Sequence, residues 1–306
     1  MSAFHDHVNN YLRARRALGF KLAFHGSVLP QFASYLEAAG AGVVTAELAV
    51  AWAGLPTGVA PICHSHRMGA VRGFARYLKT IDPATEVPPA GIWPTTHPRP
   101  RPYIWTEEDI ARLLRAARRL QPALRGLTLE TLFGLLASSG LRVGEALSLT
   151  RDDVDLRTGV LVVRDAKFDR SRYVPLHPST TEALSRYAGQ RDRLVLAPKA
   201  GAFFLSVTGV AMTYHPVQTY FKALTADLGL RSCEVRPTVH GLRHSFVVRT
   251  LVNWHRAGVD VRSHMALLSN YLGHVSLQGT YWYFSAVPEL MELVAAGVEG
   301  RLGALR

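Results

Sequence analysis

A proline-rich segment divides this chain and limits what it can fold into. The stretch IDPATEVPPAGIWPTTHPRPRPYIW, residues 81–105, contains seven prolines. Proline has no backbone N–H and disfavours the helical conformation of the residue before it, so no helix can run through this segment. The sequence therefore predicts an extended linker between two domains, and a chain of 306 residues is long enough for both.

Residues 1–80, before the linker, are expected to form a small all-α domain. Ser27 and Thr45 are suitable N-cap residues for two of its helices, and Gly19 and Gly40 are suitable ends. The four helical segments are FHDHVNNYLRARRALGF, SVLPQFASYLEAAG, TAELAVAWAG and HSHRMGAVRGFARYLKT. Their basic residues fall largely outside the apolar faces, which predicts a basic exterior.

Residues 106–306 are expected to form a second, mostly helical domain. Thr106 is the predicted N-cap of its first helix, and further helices are expected at about 124–138 and from residue 143. GVLVVRDAK and SRYVPLHP are rich in strand-forming residues and flank the turn FDR, which indicates a β-hairpin. Helices resume after the hairpin and continue to an amphipathic segment after residue 283. The predicted fold class is mainly α with a small β-sheet.

Composition favours a polyanionic partner. The chain has 35 lysines and arginines against 23 acidic residues, a formal charge of +12 and a pI near 10.1. The electrostatic field of such a positively charged protein attracts nucleic acid. Cys63 and Cys233 do not form a CxxC pair, which excludes a cysteine-rich zinc site and a disulfide framework. We find neither a secretory signal nor an apolar run long enough for a membrane span, so we expect a cytoplasmic protein that does not bind membranes.

The stretch PTVHGLRHSF contains the first candidates for functional residues. His240 and His244 lie four residues apart, which places both imidazoles on one face of a helix, with Arg243 between them. The spacing is compatible with a metal site, a pocket for an anion, or two structural histidines. Gly241 stands where a metallohydrolase of the H-E-x-x-H type has its glutamate, and a permanently charged arginine repels a dication, so the metal reading is weak.

Four further residues stand in motifs that complete a set with His240 and Arg243. Arg142 follows a glycine in ASSGLRVGEALSL, Lys167 lies in the hairpin turn DAKFDRSRYVPL, and NYLGHVSLQGTYWYF contains His274 and Tyr283. The set and its order resemble the tyrosine recombinase family of phage integrases and chromosome-dimer resolvases. The likeness extends over about 106–290, and more loosely over the first domain.

The resemblance implies an all-α, SAM-like core-binding domain at 1–80 and an α+β catalytic domain at 106–306. It implies that Arg142 and Arg243 clamp the scissile phosphate, which fits the need of metal-free phosphodiester cleavage for fixed cations. The implied roles of the other residues are general acid for Lys167, phosphate hydrogen bonds for His240 and His274, proton acceptance from the nucleophile for His240, and nucleophile for Tyr283. No cofactor and no metal are implied.

Several alternatives stay open at this point. Glu145 either orients an active-site arginine or lies at the surface, and Tyr281 competes with Tyr283 as nucleophile. VSLQGTYWYF lacks the Ser/Thr pair of many family members, which resembles recombinases of transposon-like elements. A type IB topoisomerase, a DNA-binding regulator on the same fold and a metallohydrolase are rival functions.

The resemblance also implies partners. They are double-stranded DNA with specific target sites and further copies of this chain, a tetramer on two duplexes in which the C-terminal helix docks on a neighbouring protomer. A second recombinase or an accessory protein is a further expectation, as is association with the nucleoid.

Overall fold

The computed structural model of this protein describes residues 3–95, 102–165 and 170–273. Within these ranges the chain separates into two compact units, one before residues 96–101 and one after them. Lys167, His274, Tyr281, Tyr283 and the segment predicted as a C-terminal helix lie outside the described residues. The functional division into a core-binding domain at 1–80, a linker at 81–105 and a catalytic domain at 106–306 stays a prediction.

The first unit is helical, as predicted. Phe32 and Trp52 meet at its centre with ring centroids 5.0 Å apart, and Phe74 is fully buried beside them. Thr45 caps the third helix as expected, since its side chain accepts a hydrogen bond from the backbone N–H of Leu48 at 3.2 Å. The helices are α1 (Ala3–Ala17), α2 (Ala23–Ala38), α3 (Ala46–Gly54) and α4 (Pro61–Leu78).

Helix α2 begins earlier than the sequence suggested, and Ser27 as its N-cap is wrong. Leu22 takes the cap position in a left-handed conformation, at φ 44°, without a side-chain hydrogen bond. The backbone N–H of Gly26 donates to the carbonyl of Leu22 at 2.8 Å, so the first turn is already closed before Ser27. Leu22 also packs against the apolar core of this unit, and this tertiary contact outweighs the local capping preference.

On each side of residues 96–101, the proline-rich segment packs against the unit to which it belongs. Before residue 96, the backbone N–H of Glu86 donates to the carbonyl of Val44 at 2.8 Å, and the Arg72 side chain donates to two proline carbonyls at 3.0 and 2.6 Å. After residue 101, Trp105 is buried in the second unit, where its backbone N–H donates to the Ser245 hydroxyl at 2.7 Å. The prolines exclude a helix here, as predicted, but they do not prevent packing.

The second unit surrounds a central helix, α6 (Ala123–Ser139), which is buried on nearly every side. At Gly126 an added Cβ would lie 2.5 Å from the carbonyl oxygen of Arg118, so only glycine permits the close approach of α6 and the preceding helix, α5 (Glu107–Arg118). Leu132 and Phe133 belong to the main core, where Phe133 meets Phe221 edge to face. The helices are α5 (Glu107–Arg118), α6 (Ala123–Ser139), α7 (Val143–Ser148), α8 (Pro178–Leu194), α9 (Tyr214–Asp227), α10 (Val239–Arg256) and α11 (Val261–Leu272).

The small sheet contains the predicted hairpin. β2 (Val160–Asp165) and β3 (Arg170–Pro175) pair antiparallel, with Val163 opposite Arg172. A two-residue strand, β1 (Val154–Asp155), adds to the other edge of β2. Mainly α with a small sheet is therefore the correct fold class. Over the ranges that the structure describes, we find no helix with both the length and the apolar character that a membrane span requires.

We predict that Thr106→Ala lowers the free energy of unfolding of the second unit by about 1 kcal/mol. The Thr106 hydroxyl accepts from the backbone N–H of Asp109 at 3.0 Å at the start of α5, and alanine leaves this N–H without its capping partner. Thr213→Ala is the matched control, since Thr213 precedes α9 without a side-chain capping bond. Urea unfolding of both variants measures the difference, and equal losses would contradict the capping account.

Candidate active site

A glycine at the end of α6 positions Arg142. Gly140 adopts φ 64°, a left-handed conformation that favours glycine, and an added Cβ would run into the ring of Phe246. The chain reverses here, and Arg142 becomes the N-cap residue of α7. The helix break after a glycine that the sequence predicted is thereby confirmed, and it brings Arg142 to the end of α11.

Arg142 is held at both sides of its guanidinium group. Its Nη1 donates to Oε1 of Glu145 at 2.7 Å, and its Nη2 donates to the carbonyl of Gly273 at 2.8 Å. The backbone N–H of Arg142 donates to Oε2 of Glu145 at 2.9 Å, which closes the capping box of α7. The Arg142 side chain is still 41% exposed, so an anion can reach it from solvent.

Glu145 orients an arginine rather than lying free at the surface. Burial alone would raise the pKa of its carboxyl group, but hydrogen bonds from Arg172 and Arg142 outweigh burial and lower the pKa below its usual value. Its side chain is only 16% exposed. Glu145 is therefore a carboxylate at neutral pH and holds two guanidinium groups at once.

Arg172 is the member of this cluster that the sequence reasoning missed. Its Nη1 and Nη2 donate to the two carboxylate oxygens of Glu145 at 3.1 and 2.8 Å, and its Nε donates to the carbonyl of Tyr271 at 2.9 Å. Strand alternation places Arg172 on the same face of β3 as the buried Val174, opposite the buried Val163. A charged residue on the inward face of a strand was the available signal.

Helix α10 carries the second predicted arginine, Arg243. Thr238 caps this helix by accepting from the N–H of Gly241 at 3.1 Å. The Arg243 side chain is buried, with Nη1 donating to the carbonyl of Gly140 at 2.6 Å and Nη2 to that of Leu272 at 2.9 Å. Arg142 and Arg243 thus donate to consecutive carbonyls, of Gly273 and Leu272, and the structure brings the two predicted arginines together.

His240 lies near both arginines, on the first turn of α10. Its pKa is lowered from the usual value, first by the loss of hydration where the ring meets protein atoms and then by the charges of Arg243 and Arg142. The ring is consequently neutral at pH 7 and can accept a proton. His244 faces it edge-on with centroids 4.6 Å apart.

In the described portions of the chain, no group of three or more His, Cys, Asp or Glu side chains is arranged to hold a metal ion.

The remaining predicted residues are placed by sequence alone. Lys167 falls in the connection between β2 and β3, and His274 directly follows Gly273, whose carbonyl binds Arg142. Tyr283 comes nine residues later. All three lie outside the described residues, and their assignment to the site stays a prediction.

A family comparison identifies the class of this protein. The model of the phage integrase family matches residues 104–289, which include every predicted catalytic position. The chain belongs to the phage integrase family of tyrosine recombinases. It is thus a site-specific DNA recombinase, an enzyme that breaks and rejoins DNA strands.

Individual relatives agree with this assignment. A protein of Sinorhizobium fredii named as an integrase/recombinase is 41% identical over 98% of this chain and 98% of its own length. The tyrosine recombinase XerD of Lacticaseibacillus casei is 30% identical over 73% of this chain and 72% of its own.

Among solved structures, the recombinase fold recurs at low identity. A Tn1549 transposon integrase in complex with a circular intermediate DNA has a TM-score of 0.65 at 18% identity, covering 94% of this chain and 99% of that one. XerA recombinase has a TM-score of 0.51 at 22% identity, covering 94% and 97%. These likenesses establish the fold of this recombinase and no more.

We predict that the imidazole of His240 titrates below about pH 6.5, the usual histidine value. Because the folded state disfavours protonation of His240, protons bind more readily to the unfolded chain. The folded state therefore keeps its full stability above the usual histidine pKa and loses part of it as the pH falls through this range. NMR titration of the imidazole signals, assigned with His240→Gln, measures the midpoint. A midpoint at or above the usual value would contradict the arginine environment described here.

Proposed function

We propose that this recombinase cuts and rejoins DNA through a covalent 3′-phosphotyrosyl intermediate, without metal or ATP. The observation that carries the proposal is the pairing of Arg142 and Arg243 on consecutive carbonyls at the end of α11. Their positive charges lie side by side and are fixed by protein contacts. Such a preorganised pair suits a phosphodiester whose negative charge increases in the transition state.

The two arginines have different roles in this proposal. Arg142 is 41% exposed and offers its planar group to the nonbridging oxygens of the scissile phosphate. Arg243 is buried and supplies a fixed positive field next to it, which is strong because little water screens it. Arginine stays charged at any physiological pH, so this field does not depend on protonation.

Proton transfer falls to three other residues. The neutral His240 accepts the proton of the tyrosine hydroxyl or donates a hydrogen bond to the phosphate. Lys167 protonates the departing 5′ oxygen as general acid, and His274 adds a hydrogen bond to the phosphate. The family membership of the chain supports these roles.

Tyr283 is the proposed nucleophile. Its phenolic oxygen forms a bond to phosphorus while the bond from phosphorus to the 5′ oxygen breaks, which leaves a 3′-phosphotyrosine and a 5′ hydroxyl. A 5′ hydroxyl of a partner strand then attacks the same phosphorus and releases the tyrosine. The number of phosphate ester bonds is conserved, so no external energy source is needed.

Double-stranded DNA is the proposed partner. A formal charge of +12 predicts binding through phosphate contacts that weaken steeply with salt. Structural neighbours described as bound to DNA, such as a lambda integrase dimer on a core site, support this partner. We further propose that the domains at 1–80 and 106–306 both contact the duplex and that a tetramer joins two duplexes, with or without a second recombinase or accessory protein.

A covalent trapping experiment tests this function. Purified protein is incubated with nicked duplexes from the DNA that flanks its gene, in the presence of EDTA, and is analysed on a denaturing gel. We expect a protein–DNA adduct that Tyr283→Phe abolishes, since phenylalanine lacks the attacking oxygen. Tyr281→Phe, two residues away, is the matched control and retains the adduct.

Other outcomes would contradict the proposal in distinct ways. An adduct that persists in Tyr283→Phe but is lost in Tyr281→Phe moves the nucleophile by two residues. An adduct that EDTA abolishes refutes metal-independent chemistry. Salt-sensitive binding with no adduct on any flanking duplex refutes covalent catalysis by this chain alone.

A further inference from the structure

Three arginines from three separate elements meet the end of α11. Arg172 on β3 donates to the carbonyl of Tyr271, Arg243 on α10 to that of Leu272, and Arg142 before α7 to that of Gly273. The last carbonyls of a helix have no partner within the helix and carry the negative end of its dipole. This end of α11 therefore binds guanidinium groups in place of water.

All three guanidinium nitrogens of Arg172 donate hydrogen bonds to the protein. Nε binds the carbonyl of Tyr271, and Nη1 and Nη2 bind the two oxygens of Glu145. Its side chain is 17% exposed, compared with 41% for Arg142. Arg172 is therefore poorly placed to bind a phosphate and well placed to hold other groups.

Gly273 fits closely against this arginine. It adopts φ 66°, and an added Cβ would lie 2.6 Å from Nη1 and 2.8 Å from Cζ of Arg172. Glycine thus serves both the backbone conformation and the approach of the guanidinium group. Gly273 is also the residue from which the chain continues to His274.

We propose that Arg172 is a positioning residue of the recombination reaction. Through Glu145 it fixes the orientation of Arg142, and through the carbonyl of Tyr271 it fixes the end of α11, from which the chain continues to His274. It lies on the strand that follows the connection containing Lys167. One side chain thus ties together three segments that bear catalytic motifs, and this inference rests on the function proposed above.

Arg172→Ala tests the proposal through a split between binding and chemistry. We expect the Kd for the nicked duplex to stay within about 2-fold, since the guanidinium nitrogens of Arg172 already donate to protein atoms. Single-turnover cleavage at saturating protein should slow by about 10- to 100-fold, as it does when catalytic groups are slightly misplaced. Arg172→Lys keeps the positive charge but lacks the planar guanidinium group that binds both oxygens of Glu145, and it should restore part of the cleavage rate. Arg151→Ala is the matched control, since Arg151 also binds one carboxylate, that of Asp192, through both of its Nη atoms. This variant should cleave DNA at the wild-type rate.

A double-mutant cycle separates positioning from general stability. If Arg172 acts through Glu145, Arg172→Ala should slow cleavage far less in a Glu145→Gln background than in the wild type. Gly273→Ala, which displaces the guanidinium group of Arg172, should slow cleavage in the same way without weakening DNA binding.

The outcomes are decisive in each case. Wild-type cleavage rates in Arg172→Ala overturn the inference, as does an undiminished loss in the Glu145→Gln background. If Arg172→Ala does not fold, Arg172→Lys and Gly273→Ala decide, and full rates in both overturn it. A wild-type protein that forms no adduct refutes the proposed function itself, whereas a wild-type adduct with normal Arg172 variants refutes the positioning role alone.

Discussion

The capping of α11 by arginine side chains is the interaction on which the candidate site depends. Guanidinium groups repel each other when they are close, and bringing them together requires negative charge between them. The carbonyls at the end of α11 provide partial negative charge, and the Glu145 carboxylate provides a full one. The remaining charge is positive, which suits a phosphodiester whose negative charge increases in the transition state.

Two left-handed glycines allow this arrangement. Gly140 turns the chain so that Arg142 can face the end of α11, and its carbonyl accepts from Arg243. Gly273 ends α11 where the guanidinium group of Arg172 lies against it. An added Cβ would meet the Arg172 guanidinium group at Gly273, and the side chains of Phe246 and Leu272 at Gly140. Each glycine therefore serves the packing around it as well as the turn.

The sequence predicted those parts of the molecule that local patterns determine. Thr45 and Thr106 cap helices because their hydroxyls satisfy nearby N–H groups, and the hairpin follows from two runs of strand-forming residues. Arg142 and Arg243 were found from motifs, and the fold brings them together. The start of α2 was missed because Leu22 gains more from tertiary packing than Ser27 gains from a cap.

Arg172 was missed for a different reason, since its partners are remote in sequence. Glu145 and Tyr271 lie far from it along the chain, and nothing in the local pattern of β3 specifies them. Roles for Lys167, His274 and Tyr283 still rest on motif and family.

In the proposed function, the arginines at the end of α11 neutralise the charge of the scissile phosphate. The most direct measurement is cleavage of a duplex in which a methylphosphonate replaces that phosphate, since the methyl group removes the charge of one nonbridging oxygen. Arg142→Ala should be nearly inactive on the ordinary phosphate and should regain much of its cleavage rate on the methylphosphonate. Equal loss of activity on both substrates would contradict a charge-neutralising role for Arg142.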